Sequence, residues 1–100
     1  MSITREYIMI ATPGSAAALQ KALIDLAKKV LLFDGCEDVK VYQDMDSSDQ
    51  YIFCEHWSTR ELYQSAGQAL GKEAFTRVNE LLAQKAEVRS LLPVPFCVHD

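Results

Sequence analysis

Two short segments of this chain are apolar on both faces of a strand, and this constrains the fold more than any other feature. In Tyr7-Ile8-Met9-Ile10 and again in Tyr51-Ile52-Phe53-Cys54, neighbouring residues of opposite parity are all apolar. Side chains of a strand alternate between its two faces. An antiparallel sheet with helices on one side and water on the other therefore alternates apolar with polar, and these segments do not. Both faces need cover. A chain of 100 residues buries one modest core in one domain, residues 1–100. The expectation is that its helices cover one face and a second copy of the chain covers the other, giving a face-to-face homodimer. A monomer with a thick core is the alternative.

The rest of the pattern supplies the helices. Ile3 to Ala11 is predicted as a strand, ended by Thr12-Pro13-Gly14. From Ser15 the period becomes about 3.6, with Leu19, Ala22, Leu23, Leu26 and Val30 on one face. Lys28 and Lys29 suit the helix C-terminus, and Asp34-Gly35 offers a left-handed stop. Val39, Val41, Gln43 and Met45 share one strand parity and Lys40, Tyr42 and Asp44 the other. Asp46-Ser47-Ser48-Asp49 is a polar turn into a returning strand, Gln50 to Trp57. Ser58-Thr59-Arg60-Glu61 reads as a capping box with Ser58 as the cap, and Trp57 and Leu62 stand at its staple positions. The second helix starts at Thr59, falters near Gly67 and Gly71, and resumes through Phe75, Val78, Leu82 and Ala86. Val88 to Val98 is the last strand; Pro93 and Pro95 lack amide donors on one edge, which places it at the border of the sheet. The order β-α-β-β-α-β predicts an α+β, ferredoxin-like antiparallel sheet with helices on one face.

Charge and cysteines narrow the function. Ten basic against fourteen acidic side chains leave −4, without the basic face a nucleic-acid binder needs. No apolar run approaches the roughly 20 residues of a membrane span, and Met1 to Glu6 lacks a secretory pattern. The expected location is the cytoplasm. Cys36, Cys54 and Cys97 share no short spacing, which speaks against a disulfide framework and a zinc site and for small buried hydrophobes. No glycine-rich phosphate loop or ligand cluster marks a flavin or metal site, so no cofactor is expected.

If Trp57 packs onto the helix, Tyr51, Phe53 and Glu55 share its face, while Ile52, Cys54 and His56 point to the partner. Glu55 is then a carboxylate among aromatic residues. Buried there, it needs a cationic partner or takes a raised pKa; Arg5, Arg77 and Arg89 are the candidate partners.

The stretch from Gly35-Cys36 through the hairpin to Tyr51-Ile52-Phe53-Cys54-Glu55-His56-Trp57-Ser58 resembles the antibiotic biosynthesis monooxygenase family, in which an apolar strand ends in Glu-x-Trp before a Ser/Thr helix start and a later phenylalanine helix. The leading strand, the Gly14 turn and the first helix fit as well. The resemblance implies a dimeric α/β barrel with a pocket between sheet and helices. It also implies oxidation of aromatic or quinol substrates by O₂ without a bound cofactor, or, in another branch, haem degradation. The chain departs from the pattern where many relatives carry His-Leu-x-x-x-His-Phe. It has Ala69-Leu70-Gly71-Lys72-Glu73-Ala74-Phe75, with alanine at both histidine positions. The positions matching the tryptophan and histidine of the haem-degrading branch are Ala69 and Asn79, which argues against that chemistry. The segment Gln64 to Gly71 is longer than in relatives, so the pocket mouth is expected to differ.

Cofactor-free oxygenation of an electron-rich phenol needs a dry cavity, a base and a group to stabilise the resulting anion. The expected site has Glu55 as the base, with Trp57, Tyr51, Phe53, Tyr63, Phe75 and Asn79 around a small aromatic or quinone-like ligand. Each has a plainer reading: Trp57 and Tyr63 as packing, and Glu55 as a structural charge paired to an arginine. His56 on the opposite face reads as a structural interface histidine, and His99 as part of a frayed tail. Cys54 shares a face with His56, but nothing marks a lowered thiol pKa. Two functions remain. One is a monooxygenase of the antibiotic biosynthesis type; the other is a non-catalytic, dimeric small-molecule-binding or accessory protein on the same scaffold.

Overall fold

The computed structural model describes residues 2–96. It contains β1 (Ile3–Ile10), α1 (Ala16–Val30), β2 (Cys36–Gln43), β3 (Gln50–Trp57), α2 (Arg60–Leu70), α3 (Glu73–Glu80) and β4 (Glu87–Leu91). The strands form one antiparallel sheet in the order β2-β3-β1-β4, the α+β ferredoxin-like arrangement. The predicted homes of Cys97, Val98 and His99 lie outside the described residues.

The sheet is two-faced as its sequence requires. Register pairs Ile3 with Trp57, Arg5 with Glu55, Tyr7 with Phe53 and Met9 with Tyr51, so these eight residues share one face. Ile3, Met9, Tyr51, Phe53, Glu55 and Trp57 are buried there. α1 covers this face with Leu19, Leu23, Leu26 and Val30 of the stripe its 3.6 period predicts, joined by Ala27, while Ala22 is half-buried at its edge. Tyr51 ties sheet to helix: its hydroxyl lies 3.2 Å from the Ala16 carbonyl and 3.1 Å from Gln20 Oε1. The opposite face carries Ile8, Ile10, Ile52 and Cys54, half-buried in the protomer with no helix over them.

Several boundaries differ from the sequence reading. α1 stops at Val30 with Leu31 as its C-cap, and Gly35 (φ +88°) instead serves the turn into β2. There Cys36 N–H donates to the Phe33 carbonyl at 3.2 Å. β2 ends at Gln43, leaving Met45 99% exposed and outside the strand. The cap of α2 is Thr59, whose hydroxyl accepts from Leu62 N–H at 3.1 Å; Ser58, the expected cap, spends its own N–H on the Gly35 carbonyl. Trp57 packs edge-on against Tyr63, with ring centroids 5.9 Å apart.

The helical break falls at Gly71 (φ +77°) and not at Gly67, which stays helical. α3 ends at Glu80, short of Leu82 and Ala86, because the chain there is captured by the end of β1. Thr12 N–H donates to the Leu81 carbonyl at 2.9 Å, and Ala83 N–H to the Ile10 carbonyl at 2.8 Å. β4 borders the sheet, as the prolines predict, but ends at Leu91, before Pro93 and Pro95 can interrupt its ladder.

Candidate active site

A cavity of about 180 Å³ lies between the helix-covered face of the sheet and the three helices. Its floor is β1 and β3, which contribute Tyr7, Glu55 and Trp57. α2 forms a wall with Tyr63, Ala66, Gly67 and Leu70, the i, i+3, i+4, i+7 positions that share one helical face. Val30 and Phe33 close it from the end of α1, and Phe75 from α3. The lining is mostly apolar, and its one charged group among the described residues is a carboxylate.

That carboxylate is Glu55, only 3% exposed. Its Oε1 accepts from the Trp57 indole N–H at 3.1 Å and from the Tyr7 hydroxyl at 3.4 Å. Trp57 and Glu55 are two residues apart on one strand and so point the same way, and the long indole spans the interval. Tyr7 arrives from β1, diagonally across the β1–β3 register. Both donors converge on one oxygen. No side chain among the described residues donates to Oε2, and Glu55 lines the cavity. Burial pushes the Glu55 carboxyl above its ordinary value; the Trp57 hydrogen bond, the Arg5 charge and the Tyr7 hydrogen bond oppose that shift in part. The Tyr7 hydroxyl is raised as well, first by burial and then by the nearby Glu55 charge, so it remains a donor.

Among the described residues, no arginine forms a salt bridge with Glu55. Arg89 pairs with Glu6 on the opposite face of the sheet, and Arg77 lines a surface hollow between α1 and α3. Arg5, opposite Glu55 in register, instead lays its guanidinium over the rings of Tyr63 (4.7 Å to the centroid) and Tyr7 (5.5 Å). It donates to Ser90 Oγ at 2.6 Å, and its Nε is buried without a partner. Arg5 therefore acts on Glu55 through its field and through Tyr7, the one of its two stacked tyrosines that donates to the carboxylate.

Of the residues singled out from sequence, Glu55, Trp57, Tyr63 and Phe75 come together around this cavity. Tyr51 and Phe53 share the face but not the lining: Tyr51 is consumed by its bonds to α1, and Phe53 packs edge-on against Tyr7 at 5.8 Å. Asn79 lines a neighbouring cleft. Tyr7 was missed. The signal for it existed in strand parity, since a hairpin-adjacent register brings Tyr7 beside Glu55 once β1 pairs with β3. Ala69 and Ala74, the alanines at the family's histidine positions, are absent from the lining, and Ala69 is exposed.

On the open face, Cys54 Sγ stands 3.8 Å from His56 Nε2, whose Nδ1 is 3.0 Å from Thr4 Oγ1. Burial, then the Glu6 charge, raises the Cys54 thiol; burial likewise raises Cys36. Neither is an activated nucleophile. Among the described residues, no helix is long and apolar enough to cross a membrane, and no three His, Cys, Asp or Glu side chains are grouped to hold a metal ion.

The antibiotic biosynthesis monooxygenase family model matches residues 7–81, which include β1 from Tyr7 onward, the Glu55 strand and the cavity wall. The chain belongs to this family. No curated protein sequence matches it significantly. Among solved structures, PA3566 from Pseudomonas aeruginosa is 24% identical with a TM-score of 0.82, covering 94% of this chain and 95% of that one. Rv0793 from Mycobacterium tuberculosis is 18% identical with a TM-score of 0.80 (98% and 100% covered). SnoaB, a cofactor-independent oxygenase from Streptomyces nogalater, is 11% identical with a TM-score of 0.80 (95% and 95% covered). At these identities the likeness is one of fold.

Proposed function

We propose that this family member is a cofactor-independent monooxygenase that oxidises a small hydroxylated aromatic or quinol with O₂, as a single-domain protomer of a cytoplasmic homodimer. The observation that carries the reading is the carboxylate of Glu55: buried, anchored at one oxygen by two donors, and lining a ring-sized, mostly apolar cavity. A base in a dry cavity with a raised pKa is better matched to a phenolic proton than one in water. Glu55 takes that proton, and the electron-rich phenolate reduces O₂. For a hydroquinone the reaction balances without a further reductant. One oxygen atom replaces a ring hydrogen, the other leaves as water, and the ring, which supplies all four electrons, leaves as a hydroxyquinone. Trp57 and Tyr7 hold the base in place, and the walls from α2 exclude water.

Two copies stacked through the open sheet face would bury Ile8, Ile10 and Ile52, which no element among the described residues of one protomer covers. The second reading is a non-catalytic binding protein, favoured by alanine at 69 and 74. Neither position lines the Glu55 cavity, which supports the catalytic reading over it.

The test is O₂ uptake with hydroquinone and 1,4-naphthohydroquinone by wild type and Glu55→Gln, followed by mass analysis of the product. Hydroxyquinone formation by wild type and its loss in Glu55→Gln, with the assembly unchanged, is the expected result. Equal rates would remove Glu55 from the mechanism, and ligand binding without turnover would leave the binding protein.

A further inference from the structure

A second cleft, of about 510 Å³, adjoins the Glu55 cavity, and Tyr7 and Phe75 line both. The two spaces differ in character. The inner one, about 180 Å³, is close to the roughly 150 Å³ of an apolar cavity that takes one benzene ring. The outer one is lined by the apolar Met9 and Leu82 and by the polar Asn79, Gln84 and Lys85, the last three exposed. Phase along α3 explains the continuity: Phe75 and Asn79 are one turn apart and face the same way, so a molecule passing the ring of Phe75 next meets the Asn79 amide. The loop carrying Gln84 and Lys85 is anchored at its base by the hydrogen bond from Ala83 N–H to the Ile10 carbonyl and by the bridge between Ala11 and Leu82. Among the described residues, no carboxylate lines the outer cleft and none forms an ion pair with Lys85.

We infer that the substrate is a two-part molecule: one hydroxylated aromatic ring in the Glu55 cavity, joined to an extension that passes between Tyr7 and Phe75 and ends in an anionic group at Lys85. This rests on the Glu55 cavity being the ring site, as proposed above, and adds what lies outside it. The ring contributes apolar burial in a dry space. The extension contributes apolar contact on Met9 and Leu82, hydrogen bonds from Asn79 and Gln84, and one screened charge pair at the mouth. Asn79 thus recognises the extension and not the reacting ring. Lys85 is a specificity residue and takes no part in the chemistry.

The experiment is anaerobic titration of the fluorescence of Trp57, the chain's one tryptophan, so that binding is read without turnover. The probes are hydroquinone, a series of 2,5-dihydroxyphenyl alkanoates with two- to six-carbon chains, and their methyl esters. In wild type at low ionic strength, one chain length of the acid should bind roughly three- to fivefold tighter than its ester, the size of an exposed ion pair. The preference should shrink in 0.5 M salt and vanish in Lys85→Gln, whose affinity for hydroquinone should be that of wild type. Acids and esters that bind alike at every length, or a preference that survives in Lys85→Gln, would overturn the inference. Quenching by hydroquinone in that same experiment would leave the Glu55 cavity standing as a ring site. Quenching by none of the probes would overturn both.

Discussion

The indole N–H of Trp57 donates to Oε1 of Glu55 at 3.1 Å, from the next residue on the same face of the same strand. A local pair of this kind is assembled as soon as β3 is extended. The sheet then adds Tyr7 to the same oxygen and the helices remove water from around it. What results is a carboxylate whose ionised form is supported but still disfavoured by burial.

Glu55 should therefore cost stability when it ionises. A carboxyl raised in the folded state contributes stability that is fully present below its ordinary value of about 4.5 and is lost as pH rises through the folded value. Glu55→Gln keeps an oxygen for Trp57 and Tyr7 without the charge. Thermal unfolding at one protein concentration should show the variant melting above wild type at pH 8, by about 4–8 °C per kcal/mol relieved, with the two curves converging below pH 4.5. A wild type that is more stable at pH 8 than at pH 5 in this comparison would contradict the burial argument.

Trp57→Phe removes the donor and part of the packing volume. The lost hydrogen bond to a carboxylate should cost about 1.5–3 kcal/mol, measured by denaturant unfolding followed by circular dichroism. Without that bond the Glu55 pKa should climb further, so the acid limb of the pH–rate profile should move to higher pH. An unmoved limb would mean that Trp57 only packs.

Gly35 is required twice over. Its φ of +88° lies in the left-handed region, and a Cβ there would stand 2.6 Å from both Cβ and Cδ1 of Leu62. Gly35→Ala should destabilise by at least about 1–3 kcal/mol. Adding Leu62→Ala should return only part of the loss, since it relieves the contact and leaves the backbone strain. The double-mutant cycle reads the two terms apart.

Thr59→Ala should cost about 1 kcal/mol by stripping the cap from α2, whereas Ser58→Ala should cost a few tenths at most. Because Tyr63 and Ala66 on this helix wall the cavity, Thr59→Ala should also weaken hydroquinone binding. Chemical unfolding of both variants checks the first point, and Trp57 fluorescence titration the second.

Ile52→Glu places a charge on the open sheet face beside Ile8, its partner in register. The protomer should keep its secondary structure and its ring site while the proposed homodimer falls to a monomer, by light scattering and circular dichroism. A variant that stays dimeric would place the contact between copies elsewhere.

The sequence determined the elements and their faces, because both are local properties. The 3.6 period of Leu19 to Val30 and the parity of Tyr51 to Trp57 needed no partner to be read, and the order of elements then led to the sheet. The pairing of Glu55 with Trp57 on one face followed from the same parity. Its boundaries were less secure where a longer-range bond redirected the chain: Leu81 and Ala83 hydrogen-bond to the end of β1 and cut α3 short, and the Ser58 amide bonds to Gly35, leaving Thr59 to cap. Only the tertiary structure decided the environment of Glu55. Tyr7 reaches it across a register spanning 48 residues of chain, and the sheet order sends Arg89 to the other face and Arg5 onto two tyrosine rings. The same holds for Asn79, which one turn of α3 carries past Phe75 into the outer cleft. A residue's own face is written in its neighbours in sequence; which groups confront it is set by elements that meet only when the chain has folded.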